Sequence, residues 1–273
     1  MDEQLGRFAA QVERPEPLKF AWPIIVLPDL FTTTRHLAML VGYFATIGWE
    51  VYAPDLDAVI GRGKTPPIEK ISFDDLLGLA AEALAALGRE AVIVGHGIGG
   101  LVALRLAQHA GVKAAVALAP LVPGFRTPLF IRAGNLISIW RGRPLNPPTG
   151  RLLFDLLADA EPFQRAQAIK SLVPGATTAA LQVARGEIEL AASPIPRLIV
   201  AGDSDKFAPY AQVEQFAARI GAHIAQLQGR GHWLIGGRAL ERAIGEIQRF
   251  LVRSLGQDLL LLYPEEWKKE SED

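Results

Sequence analysis

The segment Val92-Ile93-Val94-Gly95-His96-Gly97-Ile98-Gly99-Gly100-Leu101 packs glycines between an apolar run and a helical pattern. Two chemistries compete for it. Gly95, Gly97 and Gly100 spell G-x-G-x-x-G, which lets a pyrophosphate approach a helix N-terminus and is the fingerprint of dinucleotide-binding proteins. That fingerprint wants a carboxylate about 20 residues on, at the end of the next strand, to hold a ribose. Here the next strand ends in Leu118-Ala119-Pro120, and earlier strand–helix pairs precede a motif that ordinarily opens its fold. Alternatively, Gly95-His96-Gly97-Ile98-Gly99 matches G-x-S-x-G, a sharp strand-to-helix turn that presents a nucleophile, at every position except the serine. Glycine has no side chain, so no acyl-enzyme can form on Gly97.

Other residues could still do chemistry near such a turn. Gly202-Asp203-Ser204-Asp205 and Gly229-Arg230-Gly231-His232-Trp233 each follow an apolar strand. A His232 imidazole oriented by a buried Asp205 carboxylate would make a general-base dyad, with Asp203 the nearest competitor. His96 reads as structural, and His109 and His223 as surface residues. His36, near the start of a helix facing the turn, could reach a pocket there. Thr32, Thr33 and Thr34 form the nearby hydroxyl cluster, and their plainer role is to cap the helix that follows. Trp140-Arg141-Gly142-Arg143 could close over a ligand or bind its anion, or could simply form a solvated face. No His/Asp/Glu spacing matches a metal site. With no cysteine in the chain, thiolate sites and disulfides are excluded. No metal and no cofactor are expected.

The elements that must position these residues follow from periodicity. Pro23–Leu27 is a short continuous apolar run, as in a strand buried on both faces. Helical spacing follows over Thr32–Ile47, a strand over Trp49–Pro54, and a Gly/Pro-rich loop over Asp57–Lys70. Next come a helix over Phe73–Leu87, a strand over Ala91–Val94, a helix over Ile98–His109 and a strand over Ala114–Ala119. Alternation then stops. Residues 122–193 carry helical patterns at Gly150–Ala160 and Pro162–Leu172 and read as an insertion. It resumes with a strand at Arg197–Ala201, a helix at Pro209–Ile220, a strand at Ala222–Leu227 and a helix at Arg238–Leu255. Such alternation implies right-handed crossovers and a mostly parallel sheet. The expected division is an α/β core over 1–121 and 194–256, a helical cap over 122–193 and a tail over 257–273.

In this order and context the motifs resemble the α/β-hydrolase superfamily over roughly Pro23–Leu255. The turn at Gly97 lies where the family has its nucleophile elbow, Asp205 where it has its acid and His232 where it has its histidine. Ala53-Pro54-Asp55-Leu56 resembles a common strand-end segment of the family. The insertion falls where a cap belongs. The resemblance implies oxyanion donors at the Leu30 and Ile98 N–H groups. The chain departs from the family at Pro28-Asp29, where much of it has His-Gly. An inward-pointing Asp29 would oppose an anion.

The chain has 273 residues and a net charge of -1. A domain of this size buries about 75% of its unfolded surface. A near-neutral balance advertises no basic face to nucleic acid or anionic membrane. Met1-Asp2-Glu3-Gln4 lacks the features of a secretion signal, and no run reaches the ~18 apolar residues of a membrane span. A cytoplasmic location is therefore expected. The tail's Leu259-Leu260-Leu261-Leu262-Tyr263 packs back on its own domain or serves a homodimer contact.

Three functions remain open. One is a pseudoenzyme that binds a small, apolar molecule, a role for which N-myc downstream-regulated proteins resemble a precedent. Another is an enzyme using the His232–Asp205 dyad without a covalent step, in hydrolase or cofactor-free lyase-like chemistry. The third is a carboxylic-ester hydrolase whose serine was replaced.

Overall fold

The computed structural model describes residues 2–125 and 133–261. Eight strands form one sheet in the order β1-β2-β4-β3-β5-β6-β7-β8. They are β1 (Asp2–Leu5), β2 (Phe8–Glu13), β3 (Ile24–Leu27), β4 (Val51–Pro54), β5 (Ala91–His96), β6 (Val112–Leu118), β7 (Arg197–Gly202) and β8 (His223–Leu227). The hairpin β1–β2 pairs antiparallel and docks antiparallel on β4, whereas the pairings from β4 through to β8 are parallel. This is the mostly parallel, helix-flanked sheet the periodicity implied, with an added edge hairpin that the periodicity did not announce. The hairpin covers the side of β4 that would otherwise offer an open edge.

Every residue of β3, β5 and β7 is buried, which explains the apolar runs Ile24–Leu27, Ala91–Val94 and Leu198–Ala201 within them. Helices α1 (Ala38–Thr46), α2 (Phe73–Leu87), α3 (Gly97–Leu106), α8 (Tyr210–Ile220) and α9 (Gly237–Leu255) flank the sheet. On α9 the buried residues Leu240, Ala243, Ile244, Ile247 and Leu251 recur at helical spacing and face the sheet. Ser72 caps α2: its hydroxyl accepts from the Asp75 N–H while Asp75 accepts from the Ser72 N–H. No helix among the described residues is long and apolar enough to cross a membrane.

The helix expected over Thr32–Ile47 is shorter. A 3-10 turn, Thr34–Leu37, precedes α1, because Thr32 is engaged with Asp29 rather than with a helix. Between β6 and β7 lie α4 (Ala133–Trp140), α5 (Arg151–Leu156), α6 (Pro162–Ser171) and α7 (Thr177–Arg185). Two of these, α4 and α7, had no clear sequence pattern. The helix α7 packs on α2 and on the 3-10 turn Ile68–Lys70. In the tail, Leu259 is buried and its carbonyl accepts from the Ala21 N–H. Leu260 and Leu261 are about two-fifths exposed, and Leu262 and Tyr263 lie outside the described residues.

The strand order reverses between β3 and β5. The chain runs from β3 to β4 on one side, then crosses to β5 on the other. Ligands of open α/β sheets bind beyond the carboxyl ends of strands at such a switch point. In register, Leu27 pairs with Gly95. Pro28-Asp29 beyond β3 and His96-Gly97 at the end of β5 are therefore neighbours across 68 positions of sequence.

Close packing of α3 on these strands fixes the glycines. A Cβ at Gly95 would lie 2.0 Å from the Gly99 carbonyl oxygen, and one at Gly99 would lie 2.3 Å from the Pro28 carbonyl oxygen. Both obstacles are backbone. Gly95→Ala is expected to destabilise the fold by about 3 kcal/mol or more. Urea denaturation of the purified variant checks this; a midpoint within error of wild type would mean that α3 can lift from the sheet without penalty.

Candidate active site

Asp29 leaves the end of β3 on a turn locked by Thr32. The Asp29 N–H donates to Thr32 Oγ1 at 2.8 Å, and the Asp29 carbonyl accepts from the Thr32 hydroxyl and N–H at 3.2 and 3.0 Å. The carboxylate is thereby turned inward and is 7% exposed. Across the register, Gly97 begins α3 with φ +53°, a left-handed conformation that side chains rarely adopt. An ideal Cβ at Gly97 would lie 1.7 Å from Asp29 Oδ1. The volume that a side chain at position 97 would fill is thus occupied by the carboxylate of residue 29.

Each Asp29 oxygen has a partner. Oδ1 accepts the Ile98 N–H at 2.8 Å, at the positive end of α3. Oδ2 lies 3.3 Å from His232 Nε2. The other ring nitrogen, Nδ1, lies 2.8 Å from Asp205 Oδ2. Asp205 Oδ1 in turn accepts from the Phe207 and Ala208 N–H groups at 2.7 and 3.1 Å. Asp29, His232 and Asp205 form a continuous buried chain, carboxylate–imidazole–carboxylate.

Electrostatics set its protonation. Burial alone would lower the His232 pKa; the charge and hydrogen bond of Asp205, reinforced by Asp29, outweigh burial and raise it to about 10. Burial would raise Asp29, but the His232 hydrogen bond, the nearby imidazoles and the Ile98 amide bring it down to about 2. His232 is therefore an imidazolium that donates to both carboxylates at neutral pH. Burial lowers His96 to about 4, so its ring is neutral; Nε2 is 2.8 Å from the His232 carbonyl and holds the loop that carries His232. From the cap side, Asp159 Oδ2 accepts the Gly231 N–H at 2.6 Å.

Asp29, His96 and His232 each offer one donor atom within 4.8 Å of the others, a grouping that could hold a metal ion and that no sequence spacing announced. As the residues stand, the His232 Nε2–H points to Asp29, so a cation would have to displace that proton.

Beside Asp29 opens a cavity of about 50 Å³, where a buried water takes roughly 10–15 Å³. Its walls include Leu27, Leu30, Leu56, Ile98, Val102 and Ala176. Asp29 and Asp57 are the only polar side chains among the described residues that line it. Asp29 stands between this cavity and His232.

The remaining expected residues fall elsewhere. Trp140 is 81% exposed and Arg141 is exposed; neither lines the cavity. The expectation that they cover the pocket is corrected: α4 ends at Trp140 and the chain turns into solvent through Gly142 at φ +59°. His36 bonds the Thr33 N–H and the Ser171 hydroxyl, tying α6 to the core outside this cavity. Asp203 is exposed and braces the Gly229 amide. His109 and His223 are exposed. The anion at the N-terminus of α3 is the protein's own Asp29, which leaves a pyrophosphate no place on the G-x-G-x-x-G turn. Sequence reasoning missed Asp29 as a resident of the Gly97 space, and missed Asp57 and Asp159. The one available signal was the pairing of an absent side chain at 97 with an unusual acid after β3.

Residues 22–243 match the model of the alpha/beta hydrolase family. The chain belongs to that family. Among solved α/β hydrolases it is similar in fold to a monoacylglycerol lipase from Paleococcus ferrophilus (19% identity, 91% of this chain and 100% of that one, TM-score 0.69). It is also similar to a lipase-esterase related protein from Clostridium acetobutylicum (13% identity, 90% and 100% covered, TM-score 0.70) and to Est1E from Butyrivibrio proteoclasticus (18% identity, 94% and 100% covered, TM-score 0.64). No curated protein matches the chain.

Two predictions test the geometry. Gly97→Ser should expel Asp29 from its hydrogen bonds and cost about 2–4 kcal/mol. Adding Asp29→Gly should recover much of that loss, so the two changes combine non-additively; simple addition of the single-variant losses in urea denaturation would mean that the two positions do not share space. The second concerns pH. A histidine raised in the folded state contributes stability fully below its unfolded value near 6.5, and that contribution is lost as pH rises to about 10. NMR titration of the His232 ring should show no midpoint below about 9 in wild type, whereas in Asp29→Asn the midpoint should move toward neutrality. Titration near 6.5 in the wild type would break the ion-pair assignment.

Proposed function

We propose that this protein is a hydrolase in which Asp29 takes the part of the missing serine at position 97 and attacks a small, apolar substrate at an electrophilic saturated carbon. The observation that carries this is the overlap of Asp29 Oδ1 with the space of a side chain at 97. One carboxylate oxygen sits on the Ile98 amide, the expected oxyanion donor, and the other faces the histidine.

The nucleophile's identity selects the substrate. A carboxylate attacking an ester carbonyl would form an anhydride, a higher-energy acyl compound than the ester consumed. A carboxylate displacing a leaving group from saturated carbon forms an ester, an accessible covalent intermediate. In the first step Asp29 Oδ2 bonds to carbon, the carbon–leaving-group bond breaks, and the leaving group departs with the electron pair. Esterification removes the Asp29 charge. One of the two carboxylates that hold His232 protonated is then gone, its pKa falls, and its proton passes to solvent. The neutral Nε2 becomes a general base for the second step. It takes a proton from water as the water oxygen attacks Asp29 Cγ. Charge developing on Oδ1 is met by the Ile98 N–H. The Cγ–O bond to the alkyl group breaks and the alcohol leaves with the proton from His232; the new carboxyl then gives its remaining water proton to Nε2, which restores the carboxylate and the imidazolium.

This order of events also explains why a dyad acting without a covalent step is disfavoured: an imidazolium that persists to about pH 10 is no base in the resting protein. The serine-replacement reading meets the overlap between Asp29 and any side chain at 97. A binding protein remains the second reading, favoured by one fact: the amide that would stabilise an oxyanion is already bonded to an internal carboxylate.

Turnover of a short alkyl bromide or epoxide in water enriched in oxygen-18, followed by mass spectrometry of the peptide bearing Asp29, discriminates these readings. Label should accumulate in the Asp29 carboxylate over several turnovers. Asp29→Asn should abolish product, and His232→Gln should trap the ester. Unlabelled Asp29 alongside formed product would refute the covalent route. Absence of both product and adduct, with ligand binding retained in Asp29→Asn, would favour the binder.

A further inference from the structure

The first step leaves a question that the Asp29 chain does not answer: what receives the leaving group. The cavity wall is otherwise built from Leu, Ile, Val, Pro, Ala and Gly. It holds no Trp, Asn, Lys, Arg or His among the described residues that could cradle a departing halide. An anion released there would be poorly solvated. The remaining polar side chain is Asp57, on the 3-10 turn Asp57–Val59 that follows β4.

Asp57 sits where the cavity adjoins a more open recess. Asp57, Ile60, Ile68 and Pro174 line both, and Gly61, Pro67, Glu69 and Val173 complete the outer one. A group at this neck faces the substrate on one side and the route to solvent on the other. The charged groups around it are Asp55 on its own loop, Asp29 across the cavity and Glu69 at the recess, all acids; neither lining contains a described cation.

We propose that Asp57 is the acid that protonates an oxygen leaving group, and that the substrate class is a small apolar epoxide. This rests on Asp29 being the nucleophile. As Asp29 Oδ2 bonds to an epoxide carbon, the carbon–oxygen bond opens and the oxygen takes the Asp57 carboxyl proton. The product of the step is a neutral hydroxyalkyl ester of Asp29 rather than an alkoxide in an apolar cavity. Water and His232 then release the diol as above. Asp57 recovers its proton from solvent through the recess. Its environment fits the part: burial, with a smaller push from Asp55, raises it to about 6 while Asp29 is held near 2. Their places in the cavity, Asp29 beside His232 and Asp57 at the neck toward the recess, divide the two carboxyls into nucleophile and acid, and their separated acidities agree.

The test compares 1,2-epoxybutane with 1-bromobutane, whose leaving group needs no proton. The rate of Asp29 adduct formation is followed by intact-protein mass spectrometry, with thermal melting to confirm that each variant is folded. Asp57→Asn should slow adduct formation from the epoxide by about 100-fold or more and leave the bromide rate within about twofold. In wild type the epoxide rate should fall as pH rises through about 6, where the acid form is lost, and the bromide rate should not follow it. Equal losses with both compounds would overturn the proposal, making Asp57 a shaper of the cavity; an unchanged epoxide rate would overturn it as well. Bromide adducts on Asp29 with either of those outcomes would leave the nucleophile intact and remove only the acid. No adduct from either compound in folded wild type would overturn both.

Discussion

A buried carboxylate held by an imidazolium, in a gap that only glycine leaves open, is the interaction on which the rest of this site depends. Asp29 without His232 would be an unpaired charge in the core, and His232 without Asp29 would lose one of the two carboxylates that keep it protonated. Gly97 adds the steric condition, since any Cβ there overlaps Asp29 Oδ1. The three residues are one device, and removing one partner of a buried pair costs far more than the net value of the pair.

The surroundings carry the excess negative charge. Two carboxylates and one imidazolium leave a net charge of -1 away from water. Amides meet it: Ile98 on Asp29, Phe207 and Ala208 on Asp205. Fixed dipoles of this kind need no reorganisation when charge moves, which is what a covalent step at Asp29 would require. The His232 loop is held from both sides, by His96 on β5 and by Asp159 in the cap-side segment. The region between β6 and β7 therefore does more than cover the pocket, because its acid fixes the backbone that presents the imidazole.

The sheet explains why the device sits where it does. Pairing Leu27 with Gly95 brings the ends of β3 and β5 side by side at the point where strand order reverses. Helix α3 packs so closely that its first amide projects to this spot. Thr32 then folds the Asp29 turn inward. Each of these is an ordinary backbone constraint; together they converge a carboxylate, an amide and an imidazole at the inner wall of an apolar cavity.

The amino-acid sequence by itself determined the strand–helix alternation, because strands buried on both faces must be short and apolar and their helices must keep one apolar face. It also marked the turn at Gly95–Gly99, and the resemblance to the family pointed to Asp205 and His232, with Asp203 as a competitor until the structure placed Asp205 on His232 and Asp203 in solvent. It left α4, α7 and the β1–β2 hairpin obscure: their partners lie far away in the chain, and their own patterns are weak. The direction of Asp29 was decided only by tertiary structure. In sequence it is one acid after a strand, as suited to solvent as to the core. Strand register set it beside residue 97, the Thr32 turn aimed it inward, and the void at Gly97 with the charge of His232 made burial favourable. Asp57 entered the same cavity for a like reason, since which loops share a wall is fixed by the order of strands in the sheet rather than by any spacing along the chain.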